Sequence, residues 1–215
     1  MKESLGRILI ACTALLCATS SAVAQNSKAL GFQITPFVGY RAGGSFTDDS
    51  TGDEIDVENS SSYGLIINFP AERHTEYEIY FSRQSTELST GDLFQSSSLV
   101  DIDIYHLQIG GTYLFETTSN FQPYFMAAIG GAHYDPDGPG LSSDEFFSFS
   151  AGGGWKYFPS RRLGLRLDGR FIGTLIDSDS DIFCQSGPEG SGCLVRTKGE
   201  TLWQFELQAG LIFRF

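Results

Sequence analysis

Apolar and polar side chains alternate with a period of two along most of the chain after residue 31. In the last segment, 203–215, one face is wholly apolar and the other is mostly polar or small. Such alternation predicts β-strands with one apolar face and one polar face. Eight segments share the pattern, and they are 32–41, 62–69, 76–82, 105–115, 123–129, 147–157, 163–171 and 203–215.

The connections between the predicted strands alternate in length. The tight ones are 70–73, 116–120 and 159–162, and the long ones are 43–59, 84–100, 134–145 and 177–200. Closed antiparallel barrels of outer membranes have short periplasmic turns and longer extracellular loops. We therefore predict an all-β fold, an eight-stranded antiparallel up-and-down transmembrane β-barrel. Its even strand count puts both termini on the periplasmic side.

Charges on the polar face distinguish this barrel from a soluble one. A soluble eight-stranded barrel such as a lipocalin would turn its apolar face inward. Four acids and four bases could not share a dry core without close pairing. We expect Glu76 and Glu78 to interact with Arg166 and Arg170 across a polar, largely plugged lumen, with a gated narrow pore as the alternative. The predicted lumen charge network consists of Glu76, Glu78, Lys156, Arg166, Asp168, Arg170, Glu206 and Arg214.

Two carboxylates do not fit a straight strand. Asp101 and Asp103 share the parity of Tyr105, which would aim them at lipid. Either the strand already stands above the membrane at this point, or a β-bulge resets its register. We favour the first explanation, because Ile102 and Ile104 would then pack inward under the loops.

The first 24 residues predict a cleaved secretory signal peptide. Lys2 and Arg7 precede an apolar run at 8–17, and residues 22–24 form an A-x-A exit. The run is too short to span a bilayer as a helix. A lipoprotein cleavage box at Cys12 is the alternative, but only four apolar residues would separate Arg7 from the cut. We therefore predict a signal peptide at 1–24 and a barrel at 25–215.

The two cysteines that follow the signal peptide predict a disulfide bond. Cys184 and Cys193 lie nine positions apart in a stretch rich in Gly, Pro and Ser. In an exported protein this spacing is typical of a bridged loop. A metal site would need further thiol or imidazole ligands, and the neighbouring sequence offers none. We expect neither a metal centre nor a cofactor.

Composition and charge narrow the possible partners. The chain has 26 acidic and 14 basic side chains, a formal charge of −12, and 13% aromatic residues. Nucleic-acid binding is disfavoured because phosphates demand Lys and Arg. Most of the excess acid falls in the predicted loops, which suits a solvated surface, capture of divalent cations or a basic partner. Asp177, Asp179 and Asp181 suggest calcium, but Ile182 and Pro188 stand where an EF-hand needs Gly and Glu.

The C-terminal segment resembles the assembly signal of bacterial outer-membrane proteins. Its signal residues are Leu211, Phe213 and Phe215. The stretches 35–40, 122–125 and 152–157 resemble the general outer-membrane β-barrel domain family, near the small OmpA and OmpX barrels. The resemblance implies a bacterial outer-membrane location and recognition by the barrel-assembly machinery. It also implies contact with outer-membrane lipid and lipopolysaccharide, and we expect a monomer.

We predict a non-enzymatic surface role, structural or interaction-based. A small passive, porin-like channel is the first alternative, and a lipid A-modifying enzyme is the second. An enzyme of that kind would need a membrane-facing His with Ser and an acid close by. Close to His133 in the sequence are Ser142, Ser143, Asp144 and Glu145, but no ordered motif joins them. His106 falls on the lumen face, where we expect a hydrogen-bonded structural histidine.

Overall fold

The computed structural model is built of β-strands. It describes residues 31–47, 54–89, 100–137, 143–176, 181–187, 190–196 and 201–215. Side chains are described for these residues except 46–47, 54–56, 88–89, 100, 181–187 and 190–196. The predicted signal peptide lies outside the described residues. No helix within them is long and apolar enough to cross a membrane.

Eight long strands form one closed sheet. The twelve strands found in the described ranges are β1 (Gln33–Ala42), β2 (Ser45–Thr47), β3 (Glu54–Val57), β4 (Ser60–Glu72), β5 (Thr75–Ser89), β6 (Val100–Leu114), β7 (Phe121–Pro136), β8 (Asp144–Tyr157), β9 (Leu163–Leu175), β10 (Asp181–Gly187), β11 (Gly190–Arg196) and β12 (Thr201–Arg214). Strands β1, β4, β5, β6, β7, β8, β9 and β12 each pair antiparallel with the next, and β12 pairs with β1. The predicted antiparallel barrel and its eight strands are confirmed.

Three short connections lie at the same end of the barrel. They are 73–74, 115–120 and 158–162. We call this the turn end and the opposite end the loop end. The assignment of the turn end to the periplasm and of the loop end to the cell exterior stays a prediction.

Four additional strands lie in segments that were expected to be loops. β2 and β3 pair with each other, and β3 extends the sheet by pairing Val57 with Leu88 of β5. The chain enters this hairpin through Gly43 and Gly44, whose φ angles of 83° and 110° favour glycine. β10 and β11 form a separate two-stranded sheet. These segments were missed because they are short: β2 has three residues, β3 has four, and β10 and β11 have seven each.

Side-chain exposure follows the predicted parity. On β9, Leu165 and Leu167 are 49% and 55% exposed, whereas Arg166 and Asp168 are each 2% exposed. The same alternation runs around the barrel, so an apolar belt faces outward and a polar surface faces inward. A soluble barrel would have the opposite arrangement. The outward face therefore suits a hydrocarbon environment.

The height of the belt can be estimated on β6. Tyr113 and Tyr105 lie near its two edges and are eight residues apart. At about 3.3 Å per residue and a tilt of about 40°, this separation corresponds to roughly 20 Å of barrel height. The value is close to the ~25 Å apolar band of outer-membrane barrels.

Close strand approach explains one inward-facing glycine in particular. A Cβ atom added to Gly110 of β6 would overlap the backbone carbonyl oxygen of Ala127 and crowd Ala128. Glycine permits this approach because it has no side chain. A lumen wall built this way leaves its interior to the long side chains of other strands.

Candidate functional site: the barrel lumen

The charged side chains that are buried in the lumen balance in sign. Four cations and four carboxylates are each at most 7% exposed in the described chain. They are Arg41, Lys156, Arg166, Arg170, Glu76, Glu78, Asp168 and Glu206. A buried charge is costly unless it is paired and hydrogen-bonded. Their individual contacts therefore decide whether the lumen is filled by a stable network.

Glu78 is the centre of the network. Its Oε1 accepts a hydrogen bond from Arg170 Nη2 at 2.6 Å. Its Oε2 accepts hydrogen bonds from Arg166 Nη2 at 3.0 Å, Thr112 Oγ1 at 3.1 Å and Asn68 Nδ2 at 3.2 Å. Glu78 stands on β5 and both arginines stand on β9, which lies four strands away in either direction around the barrel. These bonds therefore cross the lumen.

The two arginines of β9 are held in place by further contacts. Asp168 Oδ2 accepts hydrogen bonds from Arg166 Nε at 2.7 Å and from the Tyr124 hydroxyl. The Arg166 guanidinium lies 4.8 Å from the centroid of the Tyr124 ring, and the Arg170 guanidinium lies 3.9 Å from that of Tyr80. Cation–π contacts of this kind add to the ion pairs. Both guanidinium groups are thus fixed from several sides.

Arg41 forms a second ion pair that the sequence prediction did not include. Its Nη2 donates to Glu206 Oε1 at 2.9 Å. Glu206 also accepts hydrogen bonds from Ser62 Oγ at 2.5 Å and Tyr80 Oη at 2.6 Å. Arg41 Nη1 lies 3.1 Å from His106 Nδ1. Because a guanidinium can only donate, His106 accepts at Nδ1 and, as a neutral ring, carries its proton on Nε2.

A third pair lies between Glu76 and Lys156. Lys156 Nζ lies 2.5 Å from Glu76 Oε2, and both side chains bond to the amide of Gln33 at 3.1 Å and 2.8 Å. Glu76 was expected to face the arginines of β9, but its ion pair is with this lysine. Arg214 forms no ion pair with another described residue, and its guanidinium lies 3.9 Å from the centroid of the Phe158 ring.

Apolar side chains fill the lumen nearer the loop end. This loop-end apolar cluster consists of Val57, Ile102, Ile104, Ala132, Tyr134, Phe146, Ile176 and Leu202. Ile102 and Ile104 are 2% and 0% exposed, which confirms the expectation that they pack inward. Val57 joins the cluster from β3, where its backbone N–H donates to the carbonyl oxygen of Gly44 at 2.8 Å.

The outward-facing carboxylate of Asp103 is paired with Arg83 on the loop-end side of the apolar belt. Arg83 Nη2 and Nε donate to it at 2.6 Å and 3.3 Å, and Ser85 Oγ donates at 2.6 Å. The hydrogen bonds from Arg83 lower the pKa of the Asp103 carboxyl, although partial burial opposes them. The register of β6 with both neighbours is continuous here. The alternative of a β-bulge is therefore wrong.

The remaining predicted site residues lie away from the lumen. Leu211, Phe213 and Phe215 face outward and are 53%, 38% and 66% exposed. Cys184 and Cys193 are directly opposite each other in the β10–β11 hairpin. Opposite residues of antiparallel strands have Cα atoms about 4.5–5.5 Å apart, a separation that a disulfide can bridge. Their side chains lie outside the described set, so the disulfide stays a prediction.

The residues considered for catalysis or metal binding are only partly described. His133 Nδ1 lies 3.7 Å from Glu145 Oε1 on the outer wall, and its ring lies 6.2 Å from that of Tyr105. Ser142 and the aspartates within 177–180 lie outside the described residues. Among those described, no group of three or more His, Cys, Asp and Glu side chains could hold a metal ion.

Comparisons with known proteins agree with this architecture. Residues 10–215 match the family model of the outer membrane protein beta-barrel domain. Neisserial surface protein A is 14% identical with a TM-score of 0.58, covering 86% of this chain and 97% of its own. OprG from Pseudomonas aeruginosa is 15% identical with a TM-score of 0.59, covering 90% and 99%. Outer membrane protein W of E. coli is 16% identical with a TM-score of 0.54, covering 88% and 100%. The comparison with curated proteins gave no match.

Proposed function

Since the chain belongs to the outer-membrane protein β-barrel domain family, we propose that it is a closed bacterial outer-membrane barrel whose non-enzymatic role is performed at the cell surface. The observation that carries this proposal is the filling of the lumen by paired side chains. An eight-stranded barrel has room inside for side chains and little more. Here that room contains four cations paired with four carboxylates.

Two successive layers of side chains oppose a continuous water path: the charged layer, which is the network of lumen ion pairs, and the loop-end apolar cluster. Opening the charged layer would separate buried ion pairs, and removing one partner of such a pair costs about 3–5 kcal/mol. The loop-end apolar cluster follows nearer the barrel mouth, and apolar constrictions exclude ions by dewetting. Because the two layers act in series, loss of one leaves the other in place.

Planar-bilayer recording tests the closed lumen. We expect the wild-type protein to give no stepwise current above that of protein-free membranes. Arg166→Ala should also stay silent, because the loop-end apolar cluster remains. Arg161→Ala, which changes an exposed arginine at the turn end, serves as the matched control. Regular, ohmic steps from the wild-type protein would overturn the proposal and favour the passive channel.

The charge of the loop end supports an interaction role. A cavity of about 570 Å³ there is lined by five carboxylates and one basic side chain. The carboxylates are Glu87, Asp101, Asp103, Asp135 and Asp137, and the basic residue is Arg83. Arg83 is already paired with Asp103. Because surface fields of one sign steer charged partners, we infer that the barrel presents an anionic rim to a basic partner.

Salt-dependent binding of a lysine-rich peptide tests the rim. The protein is kept in detergent micelles so that both ends are accessible. We expect binding to weaken as salt rises, and to weaken at low salt when Asp101→Asn is combined with Asp137→Asn. The control combines Glu72→Gln with Glu116→Gln, which removes the same charge from the turn end. Equal weakening by both pairs would contradict a specific role of the rim.

The same proposal includes an orientation and the partners of biogenesis. We infer that the loop end faces the exterior, that both termini are periplasmic, and that residues 1–24 are cleaved on export. The barrel-assembly machinery would read Leu211 and Phe213 of β12 and Phe215 directly after it, all three of which are exposed on the outward face. Outer-membrane lipid and lipopolysaccharide would surround a monomeric barrel.

A further inference from the structure

A groove on the outer wall begins in the apolar belt and ends among polar side chains. It is a cavity of about 460 Å³, bordered by Phe81, Leu107, Gly131, Tyr105, His133 and Glu145. Tyr105, His133 and Glu145 lie opposite one another in a single row across β6, β7 and β8. Leu107 and Gly131 lie opposite each other in the next outward row toward the turn end. The polar and apolar parts of the groove are therefore about 7 Å apart along the strands.

Gly131 leaves the apolar part of the groove open. A Cβ atom added there would meet nothing closer than the carbonyl oxygen of Phe146, at 3.8 Å, which is an ordinary contact. A Cβ atom on Gly130 would instead overlap the backbone of Leu107. Wall packing thus requires glycine at position 130 and not at position 131. Leu107 and Phe147, which flank Gly131 in the sheet, are 58% and 50% exposed. Their strands lie about 10 Å apart, which leaves space for one alkyl chain.

The polar part of the groove carries a carboxylate that the protein leaves available. The Glu145 side chain is 86% exposed, and its ion pair in the described chain is with His133 Nδ1 at 3.7 Å, too long for a hydrogen bond. Asp103 and Asp135 lie opposite each other in the next outward row toward the loop end. Arg83 pairs with Asp103. A head group placed here meets three carboxylates and one arginine, so the local field favours a cation and repels an anion.

We propose that this groove binds a cationic amphiphile with a single alkyl chain and a primary ammonium head group. The ammonium group, which can only donate, bonds to the Glu145 carboxylate. The alkyl chain lies over Gly131, between Leu107 and Phe147. Tyr105 already lies against one cation, because the Arg83 guanidinium is 5.5 Å from its ring centroid. This site goes beyond the proposed anionic rim, because it gives the outer wall a ligand with an apolar chain.

Titration of the folded, ¹⁵N-labelled protein with dodecylammonium tests the site. The protein is kept in dodecyl maltoside micelles, whose uncharged head groups do not compete for the carboxylate. We expect the backbone amide signals of Gly131 and His133 to shift, and to saturate as the mole fraction of dodecylammonium in the micelle rises. Dodecanol and dodecanoate have the same chain length with a neutral and an anionic head group. Each should require at least about threefold more probe for the same shift, because the ion pair is missing.

Matched variants separate the two parts of the groove. Gly131→Leu fills the apolar part and should abolish the saturable shift at His133. Ala151→Leu, at another exposed position of the apolar belt, should leave that shift unchanged. Glu145→Gln should weaken binding, followed at Gly131, at least about threefold. Glu116→Gln is its control, because Glu116 is an 82% exposed carboxylate that also pairs with a histidine, at the turn end.

Three results would overturn the proposal. The first is the absence of a saturable shift at both amides in the folded wild-type protein. The second is binding of dodecanol as tight as that of dodecylammonium, which would show that the carboxylate does not select the head group. The third is equal weakening by Glu145→Gln and Glu116→Gln, which would indicate a general effect of charge. A folded band of each variant on an unheated gel establishes that lost binding does not reflect misfolding.

Discussion

Replacement of Glu78 by Gln tests the energetic weight of the lumen network. The carboxylate is 1% exposed and bonds to Arg166 and Arg170 through different oxygens. Glutamine keeps the shape of the side chain but removes its charge, and its NH₂ group would face a guanidinium that can only donate. Breaking a buried ion pair by removing one partner costs about 3–5 kcal/mol. We expect Glu78→Gln to lower the free energy of unfolding by that amount.

Equilibrium urea unfolding in lipid vesicles measures this loss. Trp155 and Trp203 both face outward and are 56% exposed, so their fluorescence reports transfer from lipid to water. Glu145→Gln is the control, because Glu145 pairs with His133 on the surface at 3.7 Å and its side chain is 86% exposed. The control should unfold like the wild-type protein. A Glu78→Gln variant within about 1 kcal/mol of wild type would refute the reasoning, since a buried pair should cost more.

Three further predictions concern the wall, the rim and the hairpin. Gly110→Ala would push a methyl group into a carbonyl oxygen of β7, and the folded band on an unheated gel should weaken. Arg83→Ala should raise the pKa of Asp103, which NMR titration follows, and an unchanged pKa would contradict the pairing. Because the pairing lowers the pKa of Asp103 in the folded protein, its contribution to stability is present at neutral pH and is lost as the pH falls through that folded-state pKa. Cys184 and Cys193 should resist alkylation until a reductant is added, and free thiols in the untreated protein would exclude the disulfide.

The strands and their inward and outward faces could be predicted because lipid and lumen impose opposite demands on alternate residues. A strand of period two that lies between the two environments must alternate, as the exposed Leu167 and the buried Arg166 of β9 do. No comparable demand acts on the short strands at the loop end. β3 extends β5 by pairing Val57 with Leu88 and buries Val57 in the loop-end apolar cluster, whereas β10 and β11 form a separate two-stranded sheet.

The members of the lumen network were easier to predict than their partners. Arg41 lies on the polar face of β1, so its parity could have added it to the network. That Glu76 bonds to Lys156 while Glu78 bonds to Arg170 depends on the closure of the barrel and on side-chain length. Glu76 and Lys156 are 80 residues apart in the chain, and the sequence pattern carries no information about such a pairing. Tyr80, whose hydroxyl accepts a hydrogen bond from Arg41 and whose ring lies against the Arg170 guanidinium, was missed because these contacts too cross the closed barrel.

The most direct test of the closed lumen is a measurement of the contact that crosses it. Solid-state NMR can detect dipolar coupling between the ¹³C-labelled carboxyl carbon of Glu78 and the ¹⁵N-labelled guanidinium of Arg170 in a lipid bilayer. The structure places their nearest atoms, Oε1 and Nη2, 2.6 Å apart. We therefore predict a strong coupling that disappears in Arg170→Met. Absence of this coupling in the folded wild-type protein, with both labels observed, would contradict a lumen closed by this ion pair.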